Sequence, residues 1–190
     1  MMRRVVAQSL LTASMVLLGG IFMLTPAQAA RNEWVTIKVV FCSDAVSPKL
    51  VSEYTGARLL SFQPPVARFA VPKHQYESYG LLFETLPYTR LTDPALRQRV
   101  RALHQHIAAE PADHFAAHDP NTLIVRFKQP DDKLLQEFAL IFNVSVRQFV
   151  APLELALIEV PEEQARLYYT VLRHAPQVSA VDFNTTNSLF

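Results

Sequence analysis

Four histidines are the side chains of this sequence with the clearest capacity for metal chemistry. They lie close together, with two aspartates beside them: His104, His106, His114 and His118, with Asp113 and Asp119. Imidazoles four residues apart share one face of a helix and can hold zinc or copper. His114 and His118 have that spacing and are the metal ligands that the sequence offers. The alternative is a solvated linker, because neither an H-E-x-x-H base nor a cysteine ligand accompanies them.

The remaining reactive groups fit structural roles. Cys42 is the only cysteine, so an internal disulfide is excluded. Without an evident base or second cysteine, it is predicted to be a small filler at a strand end, and the alternatives are a reactive thiol or an intermolecular bridge. Asp131-Asp132 and Glu162-Glu163 precede predicted helices, where the helix dipole favours negative charge. We therefore interpret them as helix-start residues rather than as a catalytic acid–base pair.

Catalytic motifs are missing from the sequence. After residue 29 the only glycines are Gly56 and Gly80, which leaves no glycine-rich phosphate cradle and no G-x-S-x-G elbow. We therefore expect a non-catalytic protein without a cofactor. The formal net charge of +1 falls to −1 when Arg3 and Arg4 are removed with the leader described next, which argues against a nucleic-acid partner.

Residues 1–29 have the features of a signal peptide. Arg3 and Arg4 precede an uncharged apolar run from Val5 to Leu24, and Ala27-Gln28-Ala29 supplies the small residues of a cleavage site. We expect cleavage before Ala30 and a periplasmic or secreted protein. The alternative is an uncleaved anchor, because the apolar run is long enough to span a bilayer, and it would be the protein's only contact with a membrane.

The elements that position these residues follow from the period of the apolar side chains. From Asn121 the pattern is strand, helix, strand, strand, helix, strand, which is the ferredoxin-like βαββαβ order. Leu123, Val125 and Phe127 alternate as one face of the first strand. The sequence predicts strands over 144–150, 153–160 and 178–183, and its two helices place apolar residues at helical spacing.

A fainter copy of this pattern lies about 87 residues upstream. Gly56 and Asn143, 87 positions apart, are residue types that tolerate the left-handed conformation of a helix stop. At the same separation, Pro65 is matched to Pro152 in a predicted turn. We therefore expect an α+β fold of two tandem ferredoxin-like units, residues 30–93 and 121–190.

A linker over residues 94–120 joins the two predicted units. Leu96, Val100, Leu103 and Ile107 recur at helical spacing, which predicts an amphipathic helix over 95–109. Its arginines are Arg97, Arg99 and Arg101, which are expected on the solvent side. The polar stretch after Pro111 contains His114 and His118.

The second unit resembles the propeptide of subtilisin-like serine proteases, a family that includes standalone inhibitors of those enzymes. The resemblance rests on the opening strand LIVRFK, the strand pair VSVRQFVAPLELALIEVP, the helix QARLYYTVLRHAP and the closing QVSAVDFN, within Thr122 to Asn184. It covers about a third of the chain. The first unit looks like a decayed version of the same domain.

This resemblance implies a function carried out by surfaces. The family's propeptide packs its sheet on two protease helices, acts as a folding chaperone and lays its C-terminal tail in the substrate cleft. The residues that would do so here are the tail and three charged side chains of the sheet: Asn187, Ser188, Leu189 and Phe190, with Arg126, Arg147 and Glu154. No protease domain follows these units in the sequence, so inhibition or chaperone action either would occur in trans or would have been lost.

Two other functions fit the sequence. The first is a structural or adaptor subunit of a bacterial-type cell-envelope complex, in which exposed sheet faces and edges serve for docking. A carboxylate-binding groove, such as that of a PDZ domain, could capture the tail in this case. The second is a sensor that binds a small molecule between the units, although no convergent polar set indicates a pocket.

Overall fold

The computed structural model describes residues 33–109 and 118–185, which form an α+β fold. The predicted signal peptide (1–29), His114 and the tail residues Asn187, Ser188, Leu189 and Phe190 lie outside the described residues. The first unit contains β1 (Trp34–Phe41), α1 (Pro48–Thr55), β2 (Arg58–Gln63), β3 (Val66–Pro72), α2 (Tyr76–Thr85) and β4 (Thr89–Leu91). The helix α3 (Pro94–Ala109) follows it, as the apolar spacing over 95–109 predicts.

The second unit has the same order of elements. It contains β5 (His118–Phe127), α4 (Asp132–Phe142), β6 (Ser145–Val150), β7 (Leu155–Glu159), α5 (Ala165–Leu172) and β8 (Val178–Thr185). The two four-stranded antiparallel sheets are ordered β2-β3-β1-β4 and β6-β7-β5-β8. Both orders are compatible with the two ferredoxin-like units that the sequence predicts.

The first helix of each unit has a side-chain cap at its start and a left-handed residue at its end. The Ser47 hydroxyl accepts from the Leu50 N–H at 3.2 Å, and the Asp131 carboxylate accepts from the Leu134 N–H at 2.6 Å, so both are N-caps. Gly56 (φ 75°) and Asn143 (φ 52°) take the left-handed conformation at the C-caps. The predicted pairing of these two positions is confirmed.

The units also share a β-bulge. Leu60 is skipped in the β2–β3 pairing and Arg147 is skipped in the β6–β7 pairing. The turn that follows differs, because the second unit inserts a short 3₁₀ helix, Ala151–Leu153, where the first has only Pro64-Pro65. The N–H of Phe41 donates to the carbonyl of Pro65, and the N–H of Phe127 donates to that of Glu154. Glu154 therefore corresponds to Pro65, and the predicted match of Pro65 with Pro152 is wrong.

The helices of the two units pack against each other. Helix α1 contacts α4, and α5 contacts both α2 and α3. One cluster of buried apolar residues extends through both units. Each sheet is therefore covered by helices on one face and forms an outer layer of the molecule.

Helix α3 is fixed to the first unit by its apolar residues. Leu96 and Val100 are fully buried beside Gly80 of α2, whose lack of a side chain permits the close approach. Arg99 lies over the Tyr76 ring and near Glu77, in line with its predicted exposure. Arg97 is an exception, because it is half-buried and its guanidinium donates to the carbonyl of Leu91.

Among the described residues, no helix is long and apolar enough to cross a bilayer.

Candidate protein-binding surface

The three charged residues predicted for the sheet of the second unit occupy different places. Arg126 is exposed on β5, the central strand that pairs with β7 and β8. Arg147 is the exposed bulge residue of β6. Glu154 lies in the turn before β7, with φ 55°, and so borders the sheet rather than standing on its face.

The outer face of this sheet has an aliphatic centre. Leu123 and Val125 are fully buried towards the helices, so Ile124 between them points outwards, because strand side chains alternate. Ile124 pairs with Leu157, which lies between the fully buried Ala156 and Ile158. Two more half-buried side chains extend the patch. We call these four residues the aliphatic face: Ile124, Val150, Leu155 and Leu157.

Charged side chains border the aliphatic face. Arg126 pairs with Leu155, and the exposed Asp182 pairs with Ile124 from the other side. Arg147 forms an ion pair with Glu159, and this hydrogen-bonded contact raises the pKa of the exposed guanidinium. An apolar centre with a polar rim is the usual composition of a protein–protein interface.

The opposite, helical side of the second unit is covered by the first unit. The Tyr54 hydroxyl donates to the Glu137 carboxylate at 2.7 Å, and the Tyr88 hydroxyl donates to the carbonyl of Ile141 at 2.7 Å. Burial raises the pKa of both phenols, and the hydrogen bond to Glu137 adds to the effect at Tyr54. These helices are held inside the molecule, whereas the aliphatic face is open to solvent.

Of the two predicted metal ligands, only His118 is among the described residues, and it lies in a strand rather than in a helix. His118 is the first residue of β5, and its ring stacks on Phe183 with 5.1 Å between the ring centroids. His104 and His118 line a cavity of about 360 Å³ with Asp119 and Glu163. Residues 33–109 and 118–185 contain no group of three side chains that could hold a metal ion.

Two smaller sequence predictions have different outcomes. Cys42 is exposed, which corrects its predicted role as an apolar filler, because the strand alternation that buries Phe41 directs the next residue outwards. Asp131 and Asp132 stand at the start of α4 as predicted. Glu163 lies before α5 with φ 60°, and its N–H donates to the Asn121 side-chain oxygen.

The sequence analysis did not identify the residues of the aliphatic face. The sequence does indicate them, because LIVRF in β5 is apolar at three consecutive positions. A strand with one solvent-exposed face would instead alternate apolar and polar residues. Ile124 and Leu157 are the residues that break this alternation.

Comparisons with known proteins identify no relative. No family model, no curated protein and no solved structure matches this chain.

Proposed function

We propose that this chain is an exported, non-catalytic protein-binding module that acts in trans on a subtilisin-like protease, as an inhibitor or folding chaperone. The observation that supports the proposal is the open aliphatic face of the second unit. Its centre, the Ile124–Leu157 pair, is apolar, and its rim carries Arg126, Asp182 and the Arg147–Glu159 pair. A surface of this composition suits a partner that presents apolar side chains within a polar border.

The side on which this face lies fits the implied mechanism. In propeptides of subtilisin-like proteases, the sheet packs on two helices of the enzyme. Here the sheet of the second unit is the outer layer, and its helices α4 and α5 are covered by the first unit. A partner can therefore approach the sheet without separating the two units. This arrangement would allow the same contact in trans.

The C-terminal tail supplies the second part of the proposed contact. It follows β8, an edge strand that lies beside β5. In the proposed mode, Asn187, Ser188 and Leu189 form a strand with the enzyme, and Phe190 enters its primary specificity pocket. Main-chain hydrogen bonds would give affinity, and alternate side chains would give selectivity.

The deciding experiment is an inhibition assay against a panel of subtilisin-like proteases. The purified mature chain is compared with a version that lacks Asn187 to Phe190. Inhibition by the full chain that falls at least tenfold on truncation would support the mechanism and identify the tail as its anchor. If the full chain inhibits none of the proteases and does not speed their refolding, the proposal is wrong.

An adaptor role in a cell-envelope complex is the second function that the geometry favours. The two sheets are separate outer layers, and their outer faces differ in chemistry, so one molecule could join two different partners. Such an adaptor would capture an envelope protein from solubilised membranes but leave the proteases uninhibited. It would also still bind that envelope protein after removal of the tail, unless the partner binds Phe190 in a carboxylate-binding groove.

A further inference from the structure

The outer face of the first sheet is basic. Strands β1, β2, β3 and β4 contain four cationic residues and neither aspartate nor glutamate. All four cations are exposed, and the strand pairing places them on the side away from the helices. We call them the basic face: Lys38, Arg58, Arg68 and Arg90.

Two members of the basic face are direct neighbours. Lys38 on β1 pairs with Arg68 on β3, and like charges directly opposite each other destabilise a sheet. Neither side chain forms an ion pair with any residue that the structure describes. The fold therefore gains nothing evident from placing these charges together.

The second sheet gives an internal comparison. The bonds from Phe41 to Pro65 and from Phe127 to Glu154 align the two sheets, and they place Ile124 and Leu157 where the first sheet has Lys38 and Arg68. An aliphatic pair is thus compatible with this position. The difference indicates that the positive charges serve an interaction of the first sheet rather than its folding.

Exposed apolar side chains accompany the cations. Trp34 at the start of β1 is 51% exposed, and Leu60 in the β2 bulge is 47% exposed. The guanidinium carbon of Arg58 lies 5.5 Å from the centre of the Trp34 ring. Tryptophan beside arginine is typical of surfaces that lie at the boundary between lipid headgroups and acyl chains.

We propose that the basic face binds the surface of a lipid bilayer with acidic headgroups, with Trp34 and Leu60 at the headgroup boundary. Cations spread across a sheet without carboxylates fit a continuous negative surface, and exposed apolar residues add contacts that an acidic peptide would not need. This contact is distinct from the apolar N-terminal segment and from the aliphatic face. It would hold the protein at a membrane while the second unit stays free for its partner.

The test uses the chain from Ala30, the form that the predicted cleavage yields. Every strand and helix of the structure begins at or after Trp34, so this form retains all of them. Circular dichroism and a cooperative thermal melt check that each preparation is folded. Binding is measured by co-sedimentation with vesicles of pure phosphatidylcholine, and with vesicles of equal parts phosphatidylcholine and phosphatidylglycerol.

The protein carries its own probe of the contact. Trp34 is the only tryptophan in the sequence, so its fluorescence reports on this face alone. We expect binding to the acidic vesicles only, a shift of the Trp34 emission to shorter wavelength, and release at high ionic strength. Binding to both kinds of vesicle alike, or binding without an emission shift, would overturn the proposal.

Two double variants distinguish an effect of the basic face from an effect of the protein's net charge. Lys38→Gln with Arg68→Gln is expected to weaken vesicle binding about 25-fold, because each cation near an acidic surface strengthens binding about fivefold. The control, Lys49→Gln with Lys133→Gln, removes two exposed charges from helices α1 and α4 and is expected to change binding less than about twofold. Equal losses in both pairs would contradict a site on the sheet.

An acidic polypeptide serves as the competing ligand. If poly-glutamate binds the chain and shifts the Trp34 emission while acidic vesicles do neither, the basic face binds acidic proteins, and the lipid proposal is wrong. If the vesicles bind and poly-glutamate at the same charge concentration does not, the lipid proposal is supported.

Discussion

The Tyr88 hydroxyl of the first unit donates a 2.7 Å hydrogen bond to the main-chain carbonyl of Ile141 in the second unit. Ile141 lies in the last turn of α4, where helix carbonyls lack a partner within the helix. A second hydrogen bond runs from the second unit to the first, since the Gln177 amide donates at 2.9 Å to the carbonyl of Glu53 in the last turn of α1. Each unit thus satisfies a helix end of the other, and the two should unfold together.

Removal of the Tyr88 hydroxyl should test this coupling. Tyr88→Phe leaves the buried Ile141 carbonyl without that donor, so we expect a loss of about 1–3 kcal/mol in the free energy of unfolding. Urea denaturation measures the loss, and a single transition should remain. Tyr168→Phe is the matched control, because the Tyr168 hydroxyl forms no hydrogen bond with another described residue, and it should cost less than about 0.5 kcal/mol. Equal costs would contradict a specific role for the Tyr88 bond.

Alkaline pH should destabilise the fold, because the buried Tyr168 ionises at a higher pH in the folded chain than in the unfolded chain. Burial raises the pKa of Tyr168 to about 12, from an ordinary value of 10.0. Between these values the unfolded chain releases the phenolic proton and the folded chain keeps it, so stability is full below pH 10 and falls as the pH rises above it.

The contribution of Tyr168 to this loss can be measured separately from those of Tyr54 and Tyr88, whose pKa values burial also raises. Tyr168 should contribute up to about 1.4 kcal/mol per pH unit above pH 10, and Tyr168→Phe should remove that contribution. Urea unfolding of both proteins from pH 8 to 11.5 compares the slopes of the free energy of unfolding against pH. Parallel curves would show that Tyr168 ionises equally in both states.

The contact between α2 and α3 should be intolerant of any side chain at Gly80. A Cβ atom there would lie 2.8 Å from Val100 Cγ2 and 3.1 Å from Leu96 Cδ1. We expect Gly80→Ala to lower the free energy of unfolding by about 1–2 kcal/mol, because overpacking outweighs the better helix propensity of alanine.

A double-mutant cycle identifies the cause. Val100→Ala removes the Cγ2 atom, so Gly80→Ala should cost clearly less in that background than in the wild-type chain. Chemical denaturation of the four proteins gives the interaction energy. Additive effects would mean that the clash is not with Val100.

The features that sequence analysis predicted correctly depend on neighbouring residues. The alternation of Leu123, Val125 and Phe127 and the helix stops at Gly56 and Asn143 are short-range consequences of strand and helix geometry. The order of elements follows from these signals. The resulting α+β fold with two four-stranded sheets was therefore predictable from local patterns.

The features that were missed depend on distant residues or on backbone detail. Nothing near Tyr88 in sequence indicates that its hydroxyl reaches Ile141 in the other unit. The longer turn that replaces Pro65 by Glu154 needed the register of the strands. The chemistry of the outer faces was predictable in part, because the strands of the first sheet lack acidic residues. Only the pairing of Lys38 with Arg68 shows that the positive charges lie next to each other.

The aliphatic face should be required for the proposed inhibition. Ile124→Glu places a carboxylate at the centre of this face, and burial of an unpaired charge at an apolar contact is costly. We expect the inhibition constant to rise at least about tenfold, which corresponds to ~1.4 kcal/mol of binding free energy. Inhibition kinetics with a protease that the wild-type chain inhibits measure the change.

Lys38→Glu is the matched control for this variant, because it introduces the same side chain at the corresponding position of the first sheet. It should leave the inhibition constant within about twofold, the range expected for a surface substitution away from the contact. Urea denaturation of both variants checks that the sheet is intact. Unchanged inhibition by Ile124→Glu would show that the protease does not contact the aliphatic face, and the tail alone would then have to account for the inhibition.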